Sequence, residues 1–195
     1  MGSTFGDGES WKEKEVLDNV KGCPYVIDYF GEEITTQENG EMVYNLLLEY
    51  ASGRTLAYSI KKSDVRRLPE TDVKSYTWSI LKGLSHIHDY GFVHCDLKPD
   101  NVLLVPTISL GGNFVVKIGD FGLAKRSEPP SDIWALGCLV CEMLTGKSPW
   151  NRDKELNAEK LLQLIGNEHE VPKIPSGVSD EAKSFLKSCL VGKPT

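Results

Sequence analysis

The sequence predicts an α+β protein in which a small part containing a strand hairpin is followed by a larger helical part. Residues 25–30 and 42–50 are rich in apolar, aromatic and β-branched side chains, and Asn39-Gly40 between them is a tight-turn signal, so the pair predicts an antiparallel hairpin. From Pro69 onward, apolar residues recur every three or four positions, which is the spacing of a helix with one buried face. Most of the remaining chain follows this helical pattern.

Each element follows from its own local signals. Residues 9–20 contain neither glycine nor proline and predict a first helix, which Gly22 and Pro24 end. Pro69 suits the first turn of the long helix, and Gly91 lies just past its end. Two short strands are expected at 102–105 and 114–118, and further helices from residue 131, at 155–165 and at 180–190.

The composition excludes several classes of function. The chain has 195 residues with 22 Lys and Arg against 28 Asp and Glu, a formal net charge of −6, whereas proteins that bind nucleic acid or anionic membranes need clustered basic residues. We therefore expect no nucleic-acid partner and no membrane association. The five cysteines are odd in number and scattered, which favours a reducing compartment. We expect the protein in the cytoplasm, with the nucleus as the alternative, and its oligomeric state stays open.

Two short segments bring together the side chains that phosphoryl transfer requires. That chemistry needs a carboxylate to orient the attacking hydroxyl, a cation on the transferring oxygens, and hard oxygen ligands for Mg²⁺. In the segment His-Cys-Asp-Leu-Lys-Pro-Asp-Asn, Asp96 can serve the first role and Lys98 the second. The oxygens of Asn101 and Asp120 suit magnesium. Within the Asp-Phe-Gly that begins at Asp120, Gly122 would let the chain turn sharply after the metal ligand.

In this order and spacing, the set resembles the signature motifs of eukaryotic protein kinases. Residues 131–138, Ser-Asp-Ile-Trp-Ala-Leu-Gly-Cys, are similar to the kinase helix F signature, in which Asp132 would hold the catalytic loop backbone. The His-Cys-Asp variant and the Thr-Gly-Lys-Ser-Pro-Trp at 145–150 most resemble plant MAP kinase kinase kinases. The resemblance implies a two-lobed kinase fold, with an N-lobe reduced to helix C and a β-hairpin and a mainly helical C-lobe. It also implies ATP and Mg²⁺ as cofactors and a protein substrate phosphorylated on Ser or Thr, with a MAP kinase kinase as the candidate.

The same resemblance assigns residues to nucleotide binding and to the support of the site. Residues 46–51 look like the hinge, where the carbonyl of Glu49 and the amide of Ala51 would face the adenine edge. Leu103 would form the floor under the base. The structural or regulatory positions that the resemblance implies are Glu13, His94, Phe121, Gly122 and Asp132.

Two positions allow a second interpretation. Glu13 occupies the place of the helix C glutamate, but it can equally be an exposed helix carboxylate near Lys12 and Lys14. Cys95 stands where many kinases have an arginine that binds activation-loop phosphate. We expect a buried, unreactive cysteine there, with a reactive thiol as the alternative.

Three departures from the kinase pattern lead us to expect impaired catalysis. The glycine-rich loop and strand-three lysine would precede the first helix, the link between Gly122 and Asp132 is too short for a substrate-peptide platform, and the late C-terminal helices are missing. We expect one truncated kinase-like domain, with residues 1–50 as a partial N-lobe and hinge and 51–195 as a partial C-lobe. The alternatives are a catalytically inactive pseudokinase that acts as a binding or competing module, and a truncated product without function.

Overall fold

The computed structural model describes residues 7–107, 114–127, 130–149 and 172–191 and confirms an α+β architecture. The helices in these ranges are α1 (Asp7–Asn19), α2 (Leu56–Lys62), α3 (Glu70–Asp89), α4 (Pro130–Thr145) and α5 (Asp180–Cys189). The strands are β1 (Tyr29–Thr36), β2 (Met42–Leu48), β3 (Phe92–Val93), β4 (Val102–Pro106), β5 (Phe114–Ile118) and β6 (Lys125–Arg126). They form three antiparallel pairs, β1 with β2, β3 with β6 and β4 with β5. Across the described ranges, no helix combines the length and apolar character that a membrane span requires.

The predicted hairpin is present, but its first strand lies further along the chain than the sequence predicted. β1 begins at Tyr29 and includes the Glu-Glu-Ile-Thr-Thr stretch that the pattern placed in the connection. The acidic residue Glu32 is accommodated in this strand because its carboxylate accepts hydrogen bonds from the hydroxyls of Tyr29 and Tyr44, each at 2.7 Å. It also pairs with Lys14 of α1 at 3.4 Å. The predicted Asn-Gly turn is confirmed, since Gly40 has a φ of 83°, a left-handed conformation that favours glycine.

Helix α1 confirms the helix predicted at 9–20 and packs one edge against the rest of the protein. Val16 and Leu17 on this edge are buried, as is Val20 just after the helix. Glu13 precedes Val16 and Leu17 by three and four residues, so it lies on the same side of the helix and is buried with them. The packing of this apolar edge therefore carries an acidic side chain into the interior.

Helix α3 lies against β5 and confirms the helix predicted from Pro69. Its buried face contains Val73, Ile80, Leu84 and Ile87, which follow the helical spacing seen in the sequence. Gly83 lies on this face, where a Cβ atom would be only 2.9 Å from the nearest atoms of the segments of this protein that pack against the helix. The close approach of helix and strand therefore requires a glycine at this position.

The β4–β5 pair is bonded to two segments that lie earlier in the chain. Both strands were predicted, and Val102 pairs with Ile118 at one end of the ladder. Val26 forms a parallel bridge to Ile118, and Thr55 forms an antiparallel bridge to Leu103. The second bridge leads directly into α2, a short helix that the sequence analysis missed because seven residues give too little periodicity.

The remaining helices complete the core. α4 and α5 confirm the helices expected from residue 131 and at 180–190, although α5 ends at Cys189. The helix expected at 155–165 lies outside the described residues. The buried side chains that these two helices contribute include Leu136, Leu139, Val140, Met143, Leu144 and Leu186.

Candidate active site

Asp132, in the first turn of α4, holds the backbone of the loop that follows β3. Its side chain is 1% exposed, and it accepts hydrogen bonds from the backbone N–H groups of His94 at 2.8 Å and Cys95 at 3.0 Å. The ring of His88, in α3, contributes a third contact at 2.8 Å. Burial acts to raise the pKa of Asp132, but these three contacts outweigh it and lower the pKa below its usual 3.8. The carboxylate is therefore ionised at neutral pH.

His94 joins this loop to the strand that leads to Asp120. Its ring is buried, with Nε2 at 3.1 Å from the carbonyl oxygen of Gly119 and Nδ1 accepting the backbone N–H of Asp96 at 3.2 Å. The ring also contacts that of Phe121, with 5.1 Å between centroids. Burial lowers the pKa of His94, so the ring is neutral, and a proton on Nε2 satisfies both hydrogen bonds.

Three predicted site residues meet at the carboxylate of Asp96. Oδ2 of Asp96 accepts hydrogen bonds from Nζ of Lys98 at 2.5 Å and from Nδ2 of Asn101 at 2.9 Å. Nδ2 of Asn101 also donates to the backbone carbonyl of Asp96 at 2.9 Å, and Asn101 is buried. Among the described residues, no hydrogen bond is made to Oδ1 of Asp96. The hydrogen bond to Asp96 raises the pKa of Lys98, which is therefore a cation.

The structure brings Asp120 to the same place through the backbone. The N–H of Gly119 donates to the carbonyl oxygen of Asn101 at 2.9 Å, so Asp120 follows a residue bonded to the loop that contains Asp96 and Asn101. The turn predicted at Gly122 is present, because the N–H of Ala124 donates to the carbonyl oxygen of Phe121 at 3.0 Å across Gly122 and Leu123. This turn does not use the conformational freedom of glycine. The left-handed residue is Asp120 itself, with a φ of 63°, whereas Gly122 does not have a positive φ. Aspartate tolerates this region better than most side chains because its short polar group can form local hydrogen bonds.

Glu13 reaches this turn from α1. Its Oε1 accepts the backbone N–H of Phe121 at 3.1 Å, and the residue is 5% exposed. The alternative of an exposed carboxylate near Lys12 and Lys14 is therefore wrong, because the apolar edge of α1 buries this position. Burial raises the pKa of Glu13 above its usual 4.5, the hydrogen bond from Phe121 opposes this rise, and the charge of Asp120 adds to it.

The predicted hinge residues follow the end of β2. The N–H of Glu49 donates to the carbonyl of Asp28 at 2.9 Å, and the carbonyl of Ala51 accepts from the N–H of Arg54 at 3.0 Å. Leu103 is half-buried, and its Cδ1 would lie 3.0 Å from a Cβ atom placed at Gly119. Leu103 thus packs beside the strand end that carries Asp120. The contacts of these residues with adenine stay predictions.

Cys95 is exposed, so the expectation of a buried cysteine is wrong. The reason is its backbone, which is held by Asp132 with a left-handed φ of 65°. Partial burial of the sulfur raises the pKa of Cys95, although the charge of Lys125 opposes this rise. A raised pKa disfavours the thiolate, which also argues against a reactive thiol.

Sequence reasoning missed one charged side chain beside the hinge. Lys117 is buried in β5 and donates to the carboxylates of Asp28 at 2.9 Å and Glu49 at 2.6 Å. The signal that could have revealed it is a lysine inside the otherwise apolar strand Phe-Val-Val-Lys-Ile. A charge at such a position is tolerated only when it is paired.

The donor set at Asn101 and Asp120 fits Mg²⁺ together with phosphate oxygens. In the ranges that the structure describes, no group of three or more His, Cys, Asp and Glu side chains could hold a metal by itself. Magnesium is commonly bound by one or two protein carboxylates plus substrate phosphates and water. Because Nδ2 of Asn101 is directed at Asp96, its amide oxygen is the atom that would serve as the ligand.

The model of the protein kinase domain family matches residues 4–131 and 125–195. This chain belongs to the protein kinase family. The family assignment and the reduced two-lobe kinase fold that the sequence predicted are thereby confirmed. Members of this family use ATP and Mg²⁺ to phosphorylate their substrates.

Three relatives from Arabidopsis thaliana support the resemblance to plant MAP kinase kinase kinases. Mitogen-activated protein kinase kinase kinase 20 is 40% identical over 97% of this chain and 62% of its own length. Mitogen-activated protein kinase kinase kinase 17 is 40% identical over 92% of this chain and 53% of its own length, and kinase kinase kinase 18 is 36% identical over 94% and 61%. The chain therefore spans less than two thirds of the length of these relatives.

Proposed function

We propose that this chain is the nucleotide-binding and phosphoryl-transfer part of a Ser/Thr protein kinase of the MAP kinase kinase kinase type. The observation that supports this most strongly is the arrangement at Asp96. Lys98 and Asn101 both engage Oδ2, so Oδ1 is the oxygen that can accept a hydrogen bond from an attacking hydroxyl. A carboxylate held on one oxygen has a fixed direction for the other.

Each of the clustered residues has a separate task in this proposal. Asp96 orients the substrate hydroxyl, and Lys98 provides a positive charge beside the oxygens of the transferred phosphoryl group. Asn101 and Asp120 would hold Mg²⁺, which neutralises phosphate oxygens when it is bound. Asp132 keeps the loop backbone in place from behind, through the hydrogen bonds to His94 and Cys95.

The substrate that we propose rests on the relatives, and the location rests on the scattered cysteines of the sequence. The backbone of Glu49 and Ala51 would receive the adenine edge, with Leu103 below the base. We expect the phosphorylated partner to be a MAP kinase kinase, encountered in the cytoplasm or the nucleus. The net charge of −6 argues against nucleic acid or an anionic membrane as a partner.

A second function, nucleotide binding without transfer, is favoured by the link between Gly122 and Asp132. Only nine residues separate them, and Lys125 and Arg126 within this link pair with β3. A fully extended link of this length reaches about 30 Å, which connects its ends but leaves no chain for a peptide shelf. In this case the protein would act as a pseudokinase that binds partners or competes with an intact relative, and its transfer activity would be weak or absent.

A transfer assay distinguishes these functions. The purified chain is incubated with Mg²⁺, labelled ATP and a generic protein substrate, beside an Asp96→Asn variant and an Asp100→Asn control. Asp100 is an exposed neighbour of the same charge, so its variant should keep the wild-type rate. We expect Asp96→Asn to lower the rate by about 10²–10⁴-fold, the usual contribution of a positioned acid or base.

Thermal stabilisation by nucleotide supplies the second readout. A ligand that binds only the folded state adds about 2.7 kcal/mol of stability at 100 times its Kd. Stabilisation by MgATP without transfer above the Asp96→Asn level would support the pseudokinase. A sample with neither signal would contradict both functions and leave the truncated product. An Asp120→Asn variant that retained full Mg²⁺-dependent stabilisation would contradict the assignment of the metal ligands.

A further inference from the structure

A buried cation lies on the side of β5 that faces the hinge. The side chain of Lys117 is 7% exposed, and its Nζ lies 2.6 Å from Oε2 of Glu49 and 2.9 Å from Oδ2 of Asp28. Burial acts to lower the pKa of Lys117, but the hydrogen bonds to both carboxylates outweigh it and raise the pKa. The ammonium group is therefore charged at neutral pH, and one cation holds two anions.

The three partners come from parts of the chain that are distant in sequence. Lys117 lies three residues before Asp120, Glu49 lies two residues before Ala51, and Asp28 immediately precedes β1. Asp28 and Glu49 are also joined by their backbones, because the N–H of Glu49 donates to the carbonyl of Asp28 at 2.9 Å. The N–H of Asp28 in turn lies 3.3 Å from Oε2 of Glu49. The ion cluster therefore connects the strand that carries the metal ligand to the predicted hinge.

Glu49 is the member of this cluster with the most constrained orientation. Its N–H is bonded to Asp28, and its carboxylate contacts both Lys117 and the amide of Asp28. The remaining backbone group of Glu49 is the carbonyl, which is the group that would face the adenine edge. Fixing the amide and the side chain of one residue fixes the position of its Cα atom, to which the carbonyl is attached. The position of that carbonyl relative to β5 therefore depends on Lys117.

We propose that Lys117 is a positioning residue that fixes the hinge to β5 and so sets the affinity for the adenine portion of the nucleotide, an inference that rests on the proposed function. Lys117 itself contacts no part of the nucleotide. It acts through Glu49, whose backbone carbonyl and the nearby amide of Ala51 receive the base. The phosphate end of the nucleotide, near Asn101 and Asp120, should not depend on it.

The test compares ligands that contain the base with one that lacks it. Binding of MgATP, adenosine and magnesium tripolyphosphate is measured by calorimetry for the wild type, Lys117→Met, Lys117→Arg and Lys187→Met. We expect Lys117→Met to weaken ATP and adenosine about tenfold, the scale of one lost charge-assisted contact, while tripolyphosphate changes less than about twofold. Lys117→Arg should restore most of the affinity because it keeps the cation.

Lys187→Met is the matched control. Lys187 is an exposed residue of α5, so the same loss of a lysine there should leave adenosine affinity within about twofold of the wild type. Equal weakening of adenosine and tripolyphosphate by Lys117→Met would show a general loss of folding and would overturn the proposal. If Lys117→Met does not fold, Glu49→Gln serves instead, since it removes the same ion pair with little change in shape, and the same base-selective loss is expected.

Hydrogen exchange of the free protein separates this inference from the proposed function. In Lys117→Met, the amides of residues 49–54 should exchange about tenfold faster than in the wild type, while those of α3 stay unchanged. Unchanged exchange at 49–54 would overturn the positioning role whether or not nucleotide binds. If the wild type binds neither ATP nor adenosine, the proposed function fails, and the exchange result alone decides whether Lys117 fixes the hinge.

Discussion

Replacement of Asp132 is the perturbation whose effect follows most directly from the structure. This carboxylate is almost fully buried and receives three contacts, from the backbones of His94 and Cys95 and from the ring of His88. Asp132→Ala removes the carboxylate and leaves these donors inside the protein without a hydrogen-bond acceptor. Asp132→Asn keeps the shape and one oxygen but removes the charge.

The magnitude can be worked from the contacts. Each buried donor left unsatisfied costs about 1–3 kcal/mol, and removal of one partner from a buried charged group costs about 3–5 kcal/mol in all. We therefore expect Asp132→Ala to lower the free energy of unfolding by roughly 3–5 kcal/mol, which at ~2–4 °C per kcal/mol is a fall of roughly 6–20 °C in Tm. Asp132→Asn should lose about half of this stability, because one oxygen still accepts.

The pH dependence of this effect has a definite sign. Because the folded-state pKa of Asp132 lies below its usual 3.8, the ionised carboxylate contributes stability above that value, and the contribution is lost as the pH falls through the folded pKa. The stability difference between wild type and Asp132→Asn should therefore be smaller at pH 3 than at pH 5.

Urea unfolding at each pH measures this difference, and Asp89→Asn is the control. Asp89 is exposed at the end of the same helix as His88, where loss of a negative charge should change the stability little. The reasoning is refuted if Asp132→Asn is as stable as Asp89→Asn at pH 7. It is also refuted if the backbone amides of His94 and Cys95 keep their wild-type hydrogen-exchange protection in Asp132→Ala.

Two further predictions concern other parts of the fold. Because burial raises the pKa of Glu13, its charge destabilises the folded state once the pH rises above the usual 4.5. Glu13→Gln, which can still accept the N–H of Phe121, should therefore have a higher Tm than the wild type at pH 8 and lose this advantage below pH 4.5. The same Tm difference between variant and wild type at both pH values would contradict this. Gly146→Ala places a Cβ atom 1.6 Å from the carbonyl oxygen of Arg66, whereas the Cβ atom of the control Gly40→Ala meets nothing within 4 Å. In denaturant unfolding, Gly146→Ala should therefore lose about 1–3 kcal/mol more of the free energy of unfolding than Gly40→Ala, because of overpacking. Equal losses in the two variants would show that the structure around Gly146 adjusts freely.

The fold could be predicted from the sequence wherever a local signal determined the structure. The helices at α1, α3, α4 and α5 and the turn at Gly40 follow from apolar spacing and from residues that end helices or favour turns. The start of β1 could not be predicted because an acidic residue such as Glu32 is typical of a loop. Its place in the strand depends on hydrogen bonds from the hydroxyls of Tyr29 and Tyr44, which the sequence does not show. Helix α2 was missed because seven residues give too little periodicity, although Thr55, whose side chain accepts the N–H of Tyr58 at the start of the helix, was a local signal for it.

The candidate site divides in the same way. Asp96, Lys98 and Asn101 lie within six residues of one another, so their convergence could be predicted from their order in the chain. The resemblance placed Glu13 in the site, but the contacts of Glu13 and Lys117 could not be predicted from sequence, because their partners lie 108 and 68 residues away and depend on how α1 and the hinge pack. A motif shows which chemistry is present, whereas the burial of a charged side chain becomes visible only in three dimensions.

The two halves of the site are held by carboxylates that have opposite energetic effects. Asp132 and Glu13 each accept a backbone N–H from a segment that carries catalytic residues, but the pKa of Asp132 is lowered and that of Glu13 is raised. Ionisation of Asp132 therefore stabilises the folded state, whereas ionisation of Glu13 destabilises it. It follows that Asp132→Asn and Glu13→Gln should change the free energy of unfolding in opposite directions at pH 8, although each substitution removes one negative charge.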